Sequence, residues 1–195
     1  MSDSEEEDAR PAPERIAAEA KIYKEETKRG DALLAAACGG KMRPLSDFSF
    51  AIVSCKRPGN VVAMESKLAG CDVTWIVGDG DEAAYRRAGA ARVVVGGQLC
   101  ASRNRALDLA KAGGKVCVQV SDDIKSLSFI ASKHDTAQWA KPASIQDANA
   151  RAKQADVAAA SLAACARYID AQSRATGSKL GGTYPCGNPG QACGG

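Results

Sequence analysis

Two adjacent aspartates stand where an apolar run of the sequence ends, and their chemistry suits a divalent cation. Asp122 and Asp123 closely follow the run at 116–120 (VCVQV), whose composition is typical of a buried β-strand. Paired carboxylates can bind Mg²⁺ or Mn²⁺ together with water and the oxygens of a phosphate. Aspartate is also a favoured helix N-cap, so the pair could instead begin a short helix. The pair alone leaves both interpretations open.

A second group of candidate residues follows the glycine pair at 96–97. Ser102 is a suitable N-cap for a helix over 102–112. Arg103 and Asn104 would then lie in the first turn, where free backbone N–H groups and the helix dipole favour anions. The planar guanidinium of arginine also fits a phosphate or the edge of a base. An ordinary surface helix with a solvated arginine is the alternative.

Two turns carry further polar candidates. Arg57 lies in the turn at 56–60 (KRPGN), and Asp79 lies in the loop at 78–81 (GDGD). Arg57 could contact a base or a phosphate, and Asp79 could accept a hydrogen bond from a nucleobase N–H. Plain solvated turns would have the same composition. His134, the one histidine of the chain, lies in a polar segment with no residue nearby to pair with it in nucleophilic catalysis.

The elements that must position these side chains form a regular alternation. Four short apolar runs, at 49–54, 73–77, 92–95 and 116–120, alternate with helical segments at 61–68, 82–88 and 102–112. Such alternation predicts an α/β fold with a parallel sheet covered on both faces. Ligands of these folds bind beyond the carboxyl ends of the strands. The loops at 54–60, 78–81, 96–103 and 121–126 are therefore expected at one edge of the sheet.

The flanking segments predict a simple organisation of the chain. Residues 1–13 are acidic and expected to be disordered, and 14–46 form a helix and linker expected to lie at the periphery of the fold. The ordered domain is expected over 47–190, with an alanine-rich helix over 145–174 and a disordered tail at 191–195.

Composition excludes several classes of protein. The net charge of +3 lacks the strong basic field of a dedicated DNA-binding module. No signal peptide or membrane-spanning run is apparent, so we expect an intracellular protein of the cytoplasm or nucleus that makes no membrane contact. The eight cysteines are then expected as free thiols, most of them packed as small apolar residues. No glycine-rich phosphate loop follows the first strand, which disfavours dehydrogenases and nucleotidyltransferases.

The order of these motifs resembles the donor-binding region of inverting glycosyltransferases with the GT-A fold. More closely, it resembles the TET-associated glycosyltransferase domain. The matching stretches are KRPGN (56–60), WIVGDGDEAAYRRAGA (75–90), VVVGGQLCASRNRALDLA (93–110), GKVCVQVSDDIKSL (114–127) and KLGGTYPCGNP (179–189).

This resemblance implies a GT-A-like, Rossmann-like fold with a mostly parallel sheet flanked by helices. It also implies transfer of a sugar from a nucleotide-diphosphate donor to a hydroxymethylated pyrimidine in DNA. Residue by residue, it assigns the donor to Arg57, Asp79, Arg103, Asn104 and Asp122, a divalent metal (Mn or Mg) to Asp122 and Asp123, and the acceptor side to Tyr184 and Asn188.

Two departures from the family pattern affect the expected activity. The aspartates are adjacent rather than separated by one residue, and the chain ends shortly after Pro185. Enzymes with the GT-A fold usually continue with further strands and a catalytic base. We therefore expect a domain that is incomplete on its C-terminal side. A catalytically inactive nucleotide-sugar-binding pseudoenzyme, or a truncated fragment, is the alternative to an active transferase.

Overall fold

A four-stranded parallel sheet forms the centre of the molecule. The computed structural model describes residues 10–130 and 157–183. The strands are β1 (Phe48–Ser54), β2 (Val73–Val77), β3 (Val93–Val95) and β4 (Val116–Ser121), in the order β3-β2-β1-β4. Every pairing among them is parallel. The predicted α/β fold with a parallel sheet is confirmed.

The order of the strands creates a switch point beside β1. The chain moves from β1 through β2 to β3 on one side, and then returns to place β4 on the other side of β1. Val53 of β1 lies opposite Ile76 of β2 and Ser121 of β4, so the strands end together at one edge. The loops that follow β1, β2 and β4 therefore share the carboxyl edge, as the alternation predicted.

Helices cover both faces of this sheet. The helices are α1 (Ala12–Ala37), α2 (Val61–Lys67), α3 (Glu82–Arg87) and α4 (Leu99–Ala112). One face packs large side chains such as Phe50 and Trp75 against α2 and α3, and the ring of Trp75 lies 5.4 Å from that of Tyr85. The other face packs Ala51 and Ile76 against Ala106 of α4. The alternate positions of each strand thus face different helices.

The start of α4 was predicted wrongly. The helix begins at Leu99 with Gln98 as its N-cap, three residues before the predicted first position at Ser102. Ser102 is buried inside the helix, and its hydroxyl donates to the carbonyl of Gly97. A Cβ on Gly96 would lie 2.4 Å from Ile76 Cγ2, so only glycine allows the chain to pass this close to the sheet. The helix therefore begins shortly after the glycine pair, about one turn before Ser102.

The long alanine-rich helix was also predicted wrongly in part. Strand β5 (Leu127–Ile130) pairs antiparallel with β6 (Val157–Ala160), and helix α5 (Leu162–Thr176) follows. Ser161 ends the strand and caps the helix, because its hydroxyl accepts a hydrogen bond from Ala164 N. Tertiary pairing overrides the helical propensity of alanine at 157–160. The predicted helical residues 145–156 lie outside the described residues.

Helix α1 is an integral part of the fold rather than the peripheral addition that we expected. Asp31 accepts a hydrogen bond from Ser161 N at 2.7 Å, and the Tyr23 hydroxyl accepts one from Leu162 N at 3.1 Å. Burial raises the pKa of Tyr23 to about 12. Both contacts satisfy N–H groups at the start of α5, which would otherwise have no partner within the helix. At Gly30 the backbone of α1 lies directly against Ala159 of β6.

The described cysteines are all free thiols, and two of them are more exposed than expected. Burial raises the pKa of Cys71 and of Cys165 to about 11, in agreement with a packing role. Cys55 and Cys100 are exposed, because each lies in a loop or first helical turn at the carboxyl edge. No helix in the described part of the chain is long and apolar enough to cross a bilayer. The predicted disordered residues 1–9 and 191–195 lie outside the described residues. Ala12 and Pro13, which we also expected to be disordered, instead form the start of α1, because proline is favoured in the first turn of a helix.

Candidate functional site

Three of the predicted site residues meet at the carboxyl edge, between β1 and β4. The guanidinium of Arg57 places Nη2 2.7 Å from Asp122 Oδ1 and Nη1 3.2 Å from Asp123 Oδ2. Arg57 follows β1 and the two aspartates follow β4, so this bridge spans the switch point of the sheet. One arginine thus faces both adjacent carboxylates.

The carboxylate of Asp122 is completely buried and fixed by a chain of hydroxyl groups. Its Oδ2 accepts a hydrogen bond from Ser54, whose Oγ lies 2.5 Å from the hydroxyl of Tyr85. The Ser54 hydrogen points to Asp122, so Tyr85 donates to Ser54. The Tyr85 hydroxyl in turn accepts from Arg57 N at 3.0 Å. This chain fixes the carboxylate of Asp122 and the backbone of Arg57 relative to each other.

The other oxygen of Asp122 faces the guanidinium of Arg57. Asp122 Oδ1 is buried and lies 2.7 Å from Arg57 Nη2, in an ion pair without the geometry of a hydrogen bond. A carboxylate buried without a cation beside it would be strongly destabilised. This oxygen is therefore a position where a cation is favourable, and in this structure Arg57 supplies it.

Asp123 differs from its neighbour in exposure. Its side chain is 60% exposed, against 0% for Asp122. The hydroxyl of Ser121, and then the guanidinium of Arg57, keep the pKa of Asp123 below its ordinary value. The loop is further fixed by Lys67 of α2, which donates to the carbonyl of Ile124 at 2.6 Å. Asp123 is therefore the accessible member of the pair.

The turn after β1 is strained. Lys56 has a φ of +55°, the one positive φ outside glycine among the described residues. Asp81, from the loop after β2, stabilises this conformation by accepting a hydrogen bond from Lys56 N at 2.8 Å. A strained residue costs about 1–3 kcal/mol and often occurs at a binding site. This turn presents the side chain of Arg57 to the two aspartates.

The other predicted donor residues lie outside this cluster. Arg103 is in the second turn of α4 and donates to the side chain of Gln119 at 3.0 Å, within the span of β4. Asn104 is exposed on α4, and Asp79 is exposed in the loop after β2. Since α4 starts early, Arg103 and Asn104 are displaced from the first turn, where we expected an anion. Tyr184, Asn188 and His134 lie outside the described residues.

The described residues supply few ligands for a metal ion. No group of three or more histidine, cysteine or acidic side chains is clustered within 10–130 and 157–183. The donor set that faces Arg57 consists of carboxylate oxygens from Asp122 and Asp123, which suit a hard cation such as Mg²⁺ or Mn²⁺. The buried Oδ1 of Asp122, which already faces a guanidinium, fits the same role. A cation bound here would take its remaining ligands from water and from a bound phosphate.

Sequence reasoning missed three residues of this cluster. Ser54 could have been found, because it is the polar residue that ends an apolar strand beside the strand of Asp122. Asp81 was grouped with Asp79 in one loop, and the sequence does not indicate which carboxylate turns towards β1. Tyr85 looks like a core aromatic residue, and only tertiary structure reveals that its hydroxyl reaches Ser54 and Arg57.

Comparisons with known proteins add no family to this description. A scan against protein-family models, a search of curated proteins and a search of solved structures each found no match.

Proposed function

We propose that the carboxyl edge between β1 and β4 binds the diphosphate of a nucleotide sugar, and that the protein is a glycosyltransferase. The observation that carries this proposal is the meeting of Arg57, Asp122 and Asp123 at the switch point of a parallel sheet. Ligands of open α/β sheets bind in the crevice at such a point. The nucleotide sugar and the transfer reaction are proposed from the sequence motifs that resemble a glycosyltransferase family.

The roles of the residues follow from their positions at this edge. Asp122 and Asp123 would bind Mn²⁺ or Mg²⁺, which supplies neutralisation of the charge that develops on the diphosphate leaving group. Ser54 and Tyr85 fix the position of Asp122 through their hydroxyl groups. Arg57 is half exposed and offers N–H groups to a phosphate oxygen.

The charge of the site supports a role for a cation. The loops at 54–57, 78–81 and 121–125 carry four acidic and three basic side chains. This edge therefore has no positive excess that could attract a diphosphate by itself. A divalent cation between the aspartates would reverse the sign of the local charge. For the acceptor we propose a hydroxymethylated pyrimidine in DNA, on the resemblance alone.

Binding of the donor can be tested by thermal unfolding with nucleoside diphosphates and Mn²⁺. We expect UDP, or another nucleoside diphosphate, to raise the melting temperature in the presence of Mn²⁺. A ligand at a hundred times its Kd stabilises by about 2.7 kcal/mol, which is roughly 5–10 °C for a chain of this size. The double variant Asp122→Asn, Asp123→Asn should lose the shift, because both carboxylates become neutral.

A matched control is Asp108→Asn, which neutralises an exposed aspartate on α4 and should keep the shift. The absence of a shift with UDP, GDP, ADP and TDP would contradict the proposal. Incubation with labelled nucleotide sugars and hydroxymethylated DNA then tests catalysis. Transferred label supports the transferase, and donor binding without transfer or hydrolysis identifies an inactive binding protein.

A further inference from the structure

The guanidinium of Arg57 occupies the space that a cation shared by both aspartates would need. Its two terminal nitrogens lie 2.7 Å and 3.2 Å from one oxygen of each carboxylate. Divalent cations bind carboxylate oxygens at about 2.0–2.6 Å. A metal ion that contacts the same two oxygens cannot be present together with the guanidinium. In this structure the arginine is itself the cation between the carboxylates.

The surroundings of Arg57 allow its side chain to move while its backbone stays fixed. The backbone N–H donates to the buried hydroxyl of Tyr85, whereas the side chain is 51% exposed. The side chain contacts the two aspartates through its terminal nitrogens, at 2.7 Å and 3.2 Å. The arrangement combines a backbone held by a buried hydroxyl with a half-exposed head group.

We propose that Arg57 is a displaceable latch: it closes the site in the absence of metal and turns onto the diphosphate when a metal–nucleotide complex enters. In the free protein the guanidinium compensates the buried charge of Asp122. Without it this carboxylate would be buried with no cation beside it. The released guanidinium then gains phosphate oxygens as its partners. The claim that Arg57 binds the diphosphate rests on the proposed function. The claim that Arg57 competes with a metal ion for the two aspartates does not.

The latch predicts opposite effects of one substitution on two affinities. In Arg57→Met, Mn²⁺ alone should bind more tightly, because it no longer has to displace a guanidinium. Coupling free energies between binding events are typically about 1–3 kcal/mol, or about 5- to 150-fold, and on that scale we expect a gain of at least about fivefold. The affinity of UDP in saturating Mn²⁺ should fall by a similar factor, because the phosphate loses the arginine. The affinity for Mn²⁺ is measured from the signal of free Mn²⁺ in electron paramagnetic resonance. The affinity for UDP is measured by calorimetry.

Arg92→Met is the matched control. Arg92 has the same exposure as Arg57 and also lies 2.7 Å from an aspartate oxygen, that of Asp72. The substitution should leave the affinity for Mn²⁺ unchanged. If Arg57→Met does not fold, Arg57→Lys keeps a charge but loses the planar fork, and the affinity for Mn²⁺ should again rise.

An affinity for Mn²⁺ that is unchanged or weaker in the folded variant would overturn the latch. If UDP binds to the native protein in that case, the proposed function stands without the latch. If the variant binds Mn²⁺ more tightly but no nucleotide binds to the native protein, Arg57 competes with the metal ion and the proposed function is removed.

Discussion

Gly30→Ala is expected to destabilise the protein, although alanine is the better helix former. The residue lies in the middle of α1, where helical propensity alone predicts a gain of about 1 kcal/mol. A Cβ at this position would lie 2.1 Å from the carbonyl oxygen and 2.7 Å from the carbonyl carbon of Ala159. Backbone atoms of a paired strand cannot move aside easily. Overpacking of this kind costs about 1–3 kcal/mol, so we expect the free energy of unfolding to fall.

The measurement is urea unfolding followed by circular dichroism, with Gly59→Ala as the control. A Cβ on Gly59 would meet no heavy atom within 4 Å, and this residue has no positive φ. Its free energy of unfolding should change by less than about 0.5 kcal/mol. A stabilised Gly30→Ala variant would show that α1 does not pack against β6 as described.

The two adjacent aspartates are expected to differ sharply in their contribution to stability. Asp122→Ala removes the acceptor of the Ser54 hydroxyl and the buried partner of Arg57. The buried hydroxyl of Ser54 is then left without its acceptor, which costs about 1–3 kcal/mol, whereas the half-exposed Arg57 can turn to water. Asp123→Ala, at an exposed position, should leave the unfolding midpoint near that of the native protein.

Both substitutions should nevertheless abolish the stabilisation by UDP and Mn²⁺, because each removes one of the two carboxylates. Thermal unfolding with and without the ligands measures both effects in one series. Equal melting temperatures of the two variants without ligand would contradict the buried position of Asp122. Undiminished stabilisation by ligand in Asp123→Ala would show that this carboxylate takes no part in binding.

The fold was largely predictable because its strands have a strong local signal. The run at 73–77 contains β-branched and aromatic residues and forms β2 within the same limits. The segment at 157–160 has no such signal, since alanine favours a helix, and it forms a strand only through pairing with β5. Prediction failed where tertiary contacts outweigh local preference.

The candidate site was predictable in part, because parallel topology brings the ends of neighbouring strands together. Arg57, Asp122 and Asp123 follow β1 and β4 closely, so the order of the strands suffices to bring them close. The position of Arg103 depends on where α4 begins, and this start lies about one turn before the one that the sequence predicts. The hydroxyl of Tyr85 could not be predicted, because a buried aromatic residue has the same sequence pattern with or without a polar partner.

The most direct test of the central claim is the position of Mn²⁺ in the complex with UDP, measured by paramagnetic broadening of backbone amide resonances. The broadening falls steeply with distance from the ion, and the six residues of β4 span about 20 Å. We predict loss of the signals from residues 54–57 and 121–124. The signals around the Asp72–Lys115 ion pair, at the opposite edge of the sheet, should be broadened much less. Broadening centred on that opposite edge, or none near Asp122 at saturating UDP, would contradict the proposed donor site.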